Sequence, residues 1–148
     1  MITAPPQSKI GRWATWKVRK TLMRGNGAFL VLVGGAQLIF ELLSHFGSVG
    51  PLGRIFADSS YTIGFFEAHG LALLIGLLLI LIAASDPYRF WHGFAAGVHL
   101  LLGGANLLFW SSFATWGLVP MGIIATAFHG LFLVAQGYCF VRASHRGV

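Results

Sequence analysis

Charge is what this sequence has least of. Of its 148 residues only four are acidic and ten are Lys or Arg, so charged side chains make up 9% of the chain, where a water-soluble domain carries about a quarter. So thin a coat cannot solvate a chain that is 56% hydrophobic. An ordinary soluble domain is therefore excluded. The single cysteine, Cys139, rules out an internal disulfide and a cysteine metal cage, each of which needs at least two thiols. Cys139 itself reads as a small buried apolar residue. Also missing are a glycine-rich phosphate loop, a His-Glu-x-x-His zinc helix and a Gly-x-Ser-x-Gly elbow, the signatures of phosphate binding, metalloproteolysis and serine hydrolysis. No catalytic residue is assigned, and the chain is not expected to be an enzyme.

What it has in plenty is long apolar runs: residues 28–46, 61–84, 90–113 and 118–141. Each is long enough for a membrane span of about 20 residues, and none alternates with the period of two that marks a barrel strand. Turn-forming stretches separate them: Gly47 to Gly53, Ser85-Asp86-Pro87, and Ser111 to Gly117. The expectation is an all-α polytopic membrane protein, a four-transmembrane-helix up-down bundle over residues 27–143. A basic interfacial arm, residues 1–26, precedes it, and a short tail, 144–148, follows. The first apolar run exceeds a signal-peptide core and no small-x-small cleavage site follows it, so it reads as retained.

Position explains the basic excess. With the N-terminus inside, Lys9, Arg12, Lys17, Arg19, Lys20, Arg24, Arg89, Arg142 and Arg146 all lie on the cytoplasmic side, and Arg54 alone lies outside. By the positive-inside rule this predicts both termini cytoplasmic, in a bacterial inner (plasma) membrane. The charge serves topology and lipid headgroups, and no nucleic-acid partner is expected. Tyr88 and Trp91 inside, and Tyr61, Trp110 and Trp116 outside, sit at the depth of interfacial aromatic belts.

The spans repeat. Gly34-Gly35-Ala36-Gln37-Leu38-Ile39-Phe40 matches Gly103-Gly104-Ala105-Asn106-Leu107-Leu108-Phe109 at five of seven positions, and His69-Gly70-Leu71 matches His129-Gly130-Leu131. The pattern predicts a tandem duplication of one helix hairpin, with both copies entering the membrane in the same sense.

Ionisable residues inside spans are costly and as a rule face the bundle interior. At about 1.5 Å per residue, His69 lies about 12 Å and His129 about 17 Å below the outer surface. Gln37, Glu41, Glu67 and Asn106 fall in the same outer half, which predicts a polar layer there. Glu67, about 200° round its helix from His69, points to another side. His92, His99 and Asn106 recur every seven residues on the third span, and His129 and Gln136 do so on the fourth.

Three readings of that layer remain open. In the first, the polar groups hydrogen-bond between helices to fix packing, and the protein is an accessory or partner-binding subunit, a homo-oligomer or part of a larger membrane complex. In the second, His69 and His129 are axial ligands of a haem b, with Gly34, Gly35, Gly103 and Gly104 clearing space for the macrocycle. That arrangement resembles the bis-histidine plan of membrane b-type cytochromes. The same imidazoles with His99 would offer a metal site, His69, His99 and His129. In the third, Glu41 and Glu67 carry protons in a small coupled transporter. Glu41 also has a simpler partner in His45, one turn on.

Overall fold

In the computed structural model, which describes residues 9–57, 59–85 and 89–143 and side chains from Trp16 onward, every regular element is an α-helix. α1 spans Lys9–Gly47, α2 Thr62–Ile82, α3 Arg89–Leu108, α4 Trp110–Thr115 and α5 Val119–Arg142. Three segments are long and apolar enough to cross a membrane: Trp16–Gly47, Thr62–Ile82 and Val119–Arg142. α3, with its arginine, two histidines and an asparagine, is the more polar fourth long helix. The tail 144–148, Asp58 and Tyr88 lie outside the described residues.

Two features differ from the sequence expectation. From Lys9 on, the basic segment is helical and runs unbroken into the first apolar run; no proline interrupts it. The third apolar run is not one helix. It breaks at Phe109 (φ −106°, ψ 31°) and continues as the short α4. Phe113 of α4 is packed so closely on α5 that a Cβ added to Gly122 would stand 2.8 Å from the ring. Gly117 (φ 69°) then reverses the chain into α5, whose Pro120 sits in the first turn where a missing N–H costs little.

The helices form two antiparallel hairpins. α1 packs along α2, α3 packs along α5, and α1 touches α5 between the pairs. Glycine sets the closeness of the first hairpin. A Cβ on Gly27 would stand 2.6 Å from the Gly76 carbonyl oxygen, and one on Gly76 would stand 2.7 Å from the Gly27 oxygen, so the two backbones touch. Small residues at crossings are how helices associate where lipid removes the usual hydrophobic drive.

Burial is inverted relative to a water-soluble domain. Leu32, Leu81, Leu101, Val134 and Val141 lie on the exterior, while Asn26, Glu41, Ser44, His92, His99 and Gln136 are buried. An apolar exterior around polar interior contacts is the pattern of a protein whose solvent is lipid.

Candidate functional site

Two polar assemblies occupy the interior. The first is a chain of five side chains from α1, α3 and α5. His92 Nδ1 meets Gln136 Oε1 at 2.6 Å, Gln136 Nε2 donates to Asn26 Oδ1 at 3.1 Å, Asn26 Nδ2 meets His99 Nε2, and His99 Nδ1 meets His129 Nδ1 at 2.9 Å. This chain ties the two hairpins together, since Asn26 belongs to one and the other four side chains to the second. The second assembly is a pair within the first hairpin: His69 Nδ1 donates to Glu41 Oε1 at 2.5 Å. Glu41 is 1% exposed, and its other oxygen, Oε2, is buried with no hydrogen-bond partner.

Both assemblies border one cavity of about 720 Å³ between the hairpins, toward the end where α1 finishes and α5 begins. Its polar wall is Gln37, Glu41, His69, Asn106 and His129, and most of the rest is apolar or aromatic. Phe29 lies at its inner end, 5.1 Å from both Phe128 and Phe132 between ring centroids. At the opposite end Phe56, Phe65 and Trp116 form an aromatic group with centroids 5.0 to 6.0 Å apart. Phe56 belongs to the segment between α1 and α2. Its N–H donates to Ser44 Oγ at 3.0 Å, and its carbonyl accepts from His45 Nδ1 at 3.0 Å and Thr62 Oγ1 at 3.1 Å.

The orientation of the two amides gives the five-membered chain a direction. Asn26 receives through Oδ1 and therefore donates through Nδ2, so His99 accepts at Nε2. An uncharged His99 then carries its proton on Nδ1 and donates it to His129. His129, accepting at Nδ1, holds its own proton on Nε2. His69 is the opposite case: uncharged, it carries its proton on Nδ1, donated to Glu41, and leaves a lone pair on Nε2. Beside the Gln37 and Asn106 amides, the polar wall thus presents one imidazole donor, one imidazole acceptor and Glu41.

This arrangement bears on the expected ligand sets. A bis-histidine haem needs an Nε2 lone pair from each imidazole; His69 offers one, whereas His129 offers an N–H, so the pair as hydrogen-bonded does not fit haem b. Nor do the glycines clear space for a macrocycle. A Cβ on Gly34 would stand 2.8 Å from the His69 carbonyl oxygen, and one on Gly103 would stand 3.0 Å from His129 Cβ, so both admit the neighbouring helix. Gly35 faces Leu73, and Gly104 has nothing within 4 Å. Among the described residues no three His, Cys, Asp or Glu side chains form a group that would hold a metal ion. His99 stands behind His129 and does not join His69 in a metal set.

The structure therefore brings His69, His129, Gln37, Glu41, Asn106 and Gly34 to one cavity. It does not bring Glu67 there. That carboxylate is on the exposed side of α2, as its angular offset from His69 implies, so Glu41 and Glu67 do not share a proton site. His45 is spent on the Phe56 carbonyl and leaves Glu41 to His69. Asn26, placed by the sequence in the basic arm, is the member that sequence reading missed. A signal was present: Asn26, Leu30, Gly34, Gln37 and Glu41 follow one another at three- and four-residue steps on one helix face. Comparison of the chain with family models, with curated proteins and with solved structures finds no match in any of the three.

Proposed function

We propose that the protein is a four-span membrane protein, a duplicated hairpin with both termini cytoplasmic, that binds a small, largely apolar molecule between its two hairpins and serves as a ligand-binding subunit of a membrane assembly. The observation that carries this reading is the cavity of about 720 Å³ with Glu41, whose Oε2 is buried and unpartnered, among the residues that line it. Buried polar atoms are almost always paired, and small-molecule sites are mostly apolar cavities of about 300–1,000 Å³ with a few convergent polar groups. A bound molecule supplies the missing partner. The duplication is supported by position: Gly34 packs on the backbone of His69, and Gly103 packs on His129. The orientation is supported by the nine basic residues on one side against Arg54 on the other.

The test uses protein in nanodiscs and the neutral apolar fluorophore 1-aminoanthracene, with Trp116 at the cavity edge as energy-transfer donor. Saturable transfer above that of empty nanodiscs is expected; it should disappear in Ala105→Phe, which fills the cavity, and fall in Trp116→Phe, which removes the donor at the cavity edge and leaves the other four tryptophans. Transfer that is non-saturable, or unchanged in Ala105→Phe, overturns the reading.

A further inference from the structure

We infer that the molecule bound between the hairpins is a hydroquinone, an aromatic ring carrying two hydroxyl groups, held in preference to its oxidised quinone. The inference rests on the reading of the cavity as a ligand site and names the ligand's class.

The hydrogen-bonding wall is what selects it. On α5, His129 presents Nε2–H, because His99 already donates to its Nδ1. On α2, an uncharged His69 presents an Nε2 lone pair, because its one proton, on Nδ1, goes to Glu41. Beside it Glu41 Oε2 is a second, unpartnered acceptor. Gln37 Nε2 donates to Met121 Sδ at 3.6 Å and the Asn106 amide, on α3, can donate or accept, so the two imidazoles and Glu41 set the demand: a ligand that accepts once from the α5 side and donates to the α1–α2 side. A hydroquinone meets both demands with groups on opposite edges of one ring: one hydroxyl oxygen accepts from His129, and the other hydroxyl donates to His69 or Glu41. A quinone has two carbonyl oxygens and no donor. It satisfies His129 and sets its second oxygen against a lone pair and a carboxylate.

The remaining surroundings suit such a ring. Phe29 lies at one end of the cavity and Phe65 and Trp116 at the other, as aromatic faces against which a flat ring packs. The second hairpin leaves a way out for an apolar tail, since among the described residues α2 has no extended packing against α3 or α5. The volume exceeds one substituted ring and leaves room for the first part of that tail. No redox step is assigned: the inference concerns which oxidation state is held.

The experiment is competition in nanodiscs, under anaerobic conditions, between 1-aminoanthracene and three compounds with the same decyl tail: a benzohydroquinone, its benzoquinone and its dimethyl ether. The unmet acceptor that the quinone leaves should cost it at least about tenfold in affinity, and the dimethyl ether, which has no donor, should lose as much. In His69→Phe with Glu41→Gln the hydroquinone's advantage should shrink to within about twofold while the fluorophore still binds. Equal competition by all three compounds on the unaltered protein overturns the inference and leaves the cavity reading standing. Tighter binding of the quinone overturns it equally. Failure of the fluorophore itself to bind removes both.

Discussion

The Nδ1 of His69 and Oε1 of Glu41 meet at 2.5 Å between α2 and α1, so that one oxygen of Glu41 is spent on fixing an imidazole and the other is left buried without a partner. The two roles separate on substitution. Glu41→Gln retains an acceptor for His69 and the shape of the side chain, but replaces the unpartnered second oxygen with an NH2 donor. Thermal stability should change by less than about 1 kcal/mol, while hydroquinone affinity drops by about three- to tenfold. Glu41→Ala, which strips His69 of its partner, should destabilise by about 1–3 kcal/mol. Melting of both variants in one detergent, with competition binding beside it, distinguishes the two effects.

Asn26 is the link between the hairpins, receiving from Gln136 and donating to His99. Its loss leaves two buried groups without partners, and Asn26→Leu should cost about 1–3 kcal/mol. A sharper readout is the proton position. Nitrogen NMR of histidine-labelled protein should show His129 with its proton on Nε2 and His69 with its proton on Nδ1. In Asn26→Leu the fixed tautomer of His99 and His129 should give way to exchange between forms. A wild-type His129 protonated on Nδ1 would reverse the chain and restore a lone pair at its Nε2, the condition for haem ligation.

Backbone contact between α1 and α2 predicts a ranking among glycines that composition alone does not supply. In Gly76→Ala the new methyl meets backbone, the Gly27 oxygen at 2.7 Å and the Val31 nitrogen at 2.8 Å, and neither can rotate away. Overpacking of this kind costs about 1–3 kcal/mol. Gly97→Ala, with nothing within 4 Å, should stay within about 0.5 kcal/mol of the parent. Equal melting temperatures for the two variants would contradict the close crossing.

Much of this arrangement was legible in the sequence because lipid imposes simple accounting on a chain. A carboxylate or imidazole in an apolar run as a rule faces inward, which singled out Glu41, His69 and His129; Glu67, on the exposed side of α2, is the exception, and its angular offset already separated it from them. What was not legible depends on tertiary contact. Asn26 looked like part of a basic arm because Arg24 stands beside it, and only the face it shares with Leu30 and Gly34 reveals it as core. The break at Phe109 follows from Phe113 packing on Gly122, a contact between segments. The direction of the His92 to His129 chain follows from two amide orientations, and no residue spacing encodes these.

Phe56 shows how a connecting segment becomes part of the site. Ser44, His45 and Thr62 hold its backbone N–H and carbonyl from the ends of α1 and α2, so its ring is fixed beside Phe65 and Trp116 at one end of the cavity. Removing a clamp should loosen that end without disturbing the polar wall. Thr62→Val deletes the hydroxyl that reaches both the Phe56 and Ser59 carbonyls, at a cost of about 1 kcal/mol. Because that cost falls on local opening and not on helix packing, hydrogen exchange at the Phe56 amide should quicken by about fivefold while global melting shifts little. Release of 1-aminoanthracene should accelerate by a similar factor. An unchanged release rate alongside faster exchange would mean that the ligand enters between α2 and the second hairpin and that Phe56 closes an end it does not use.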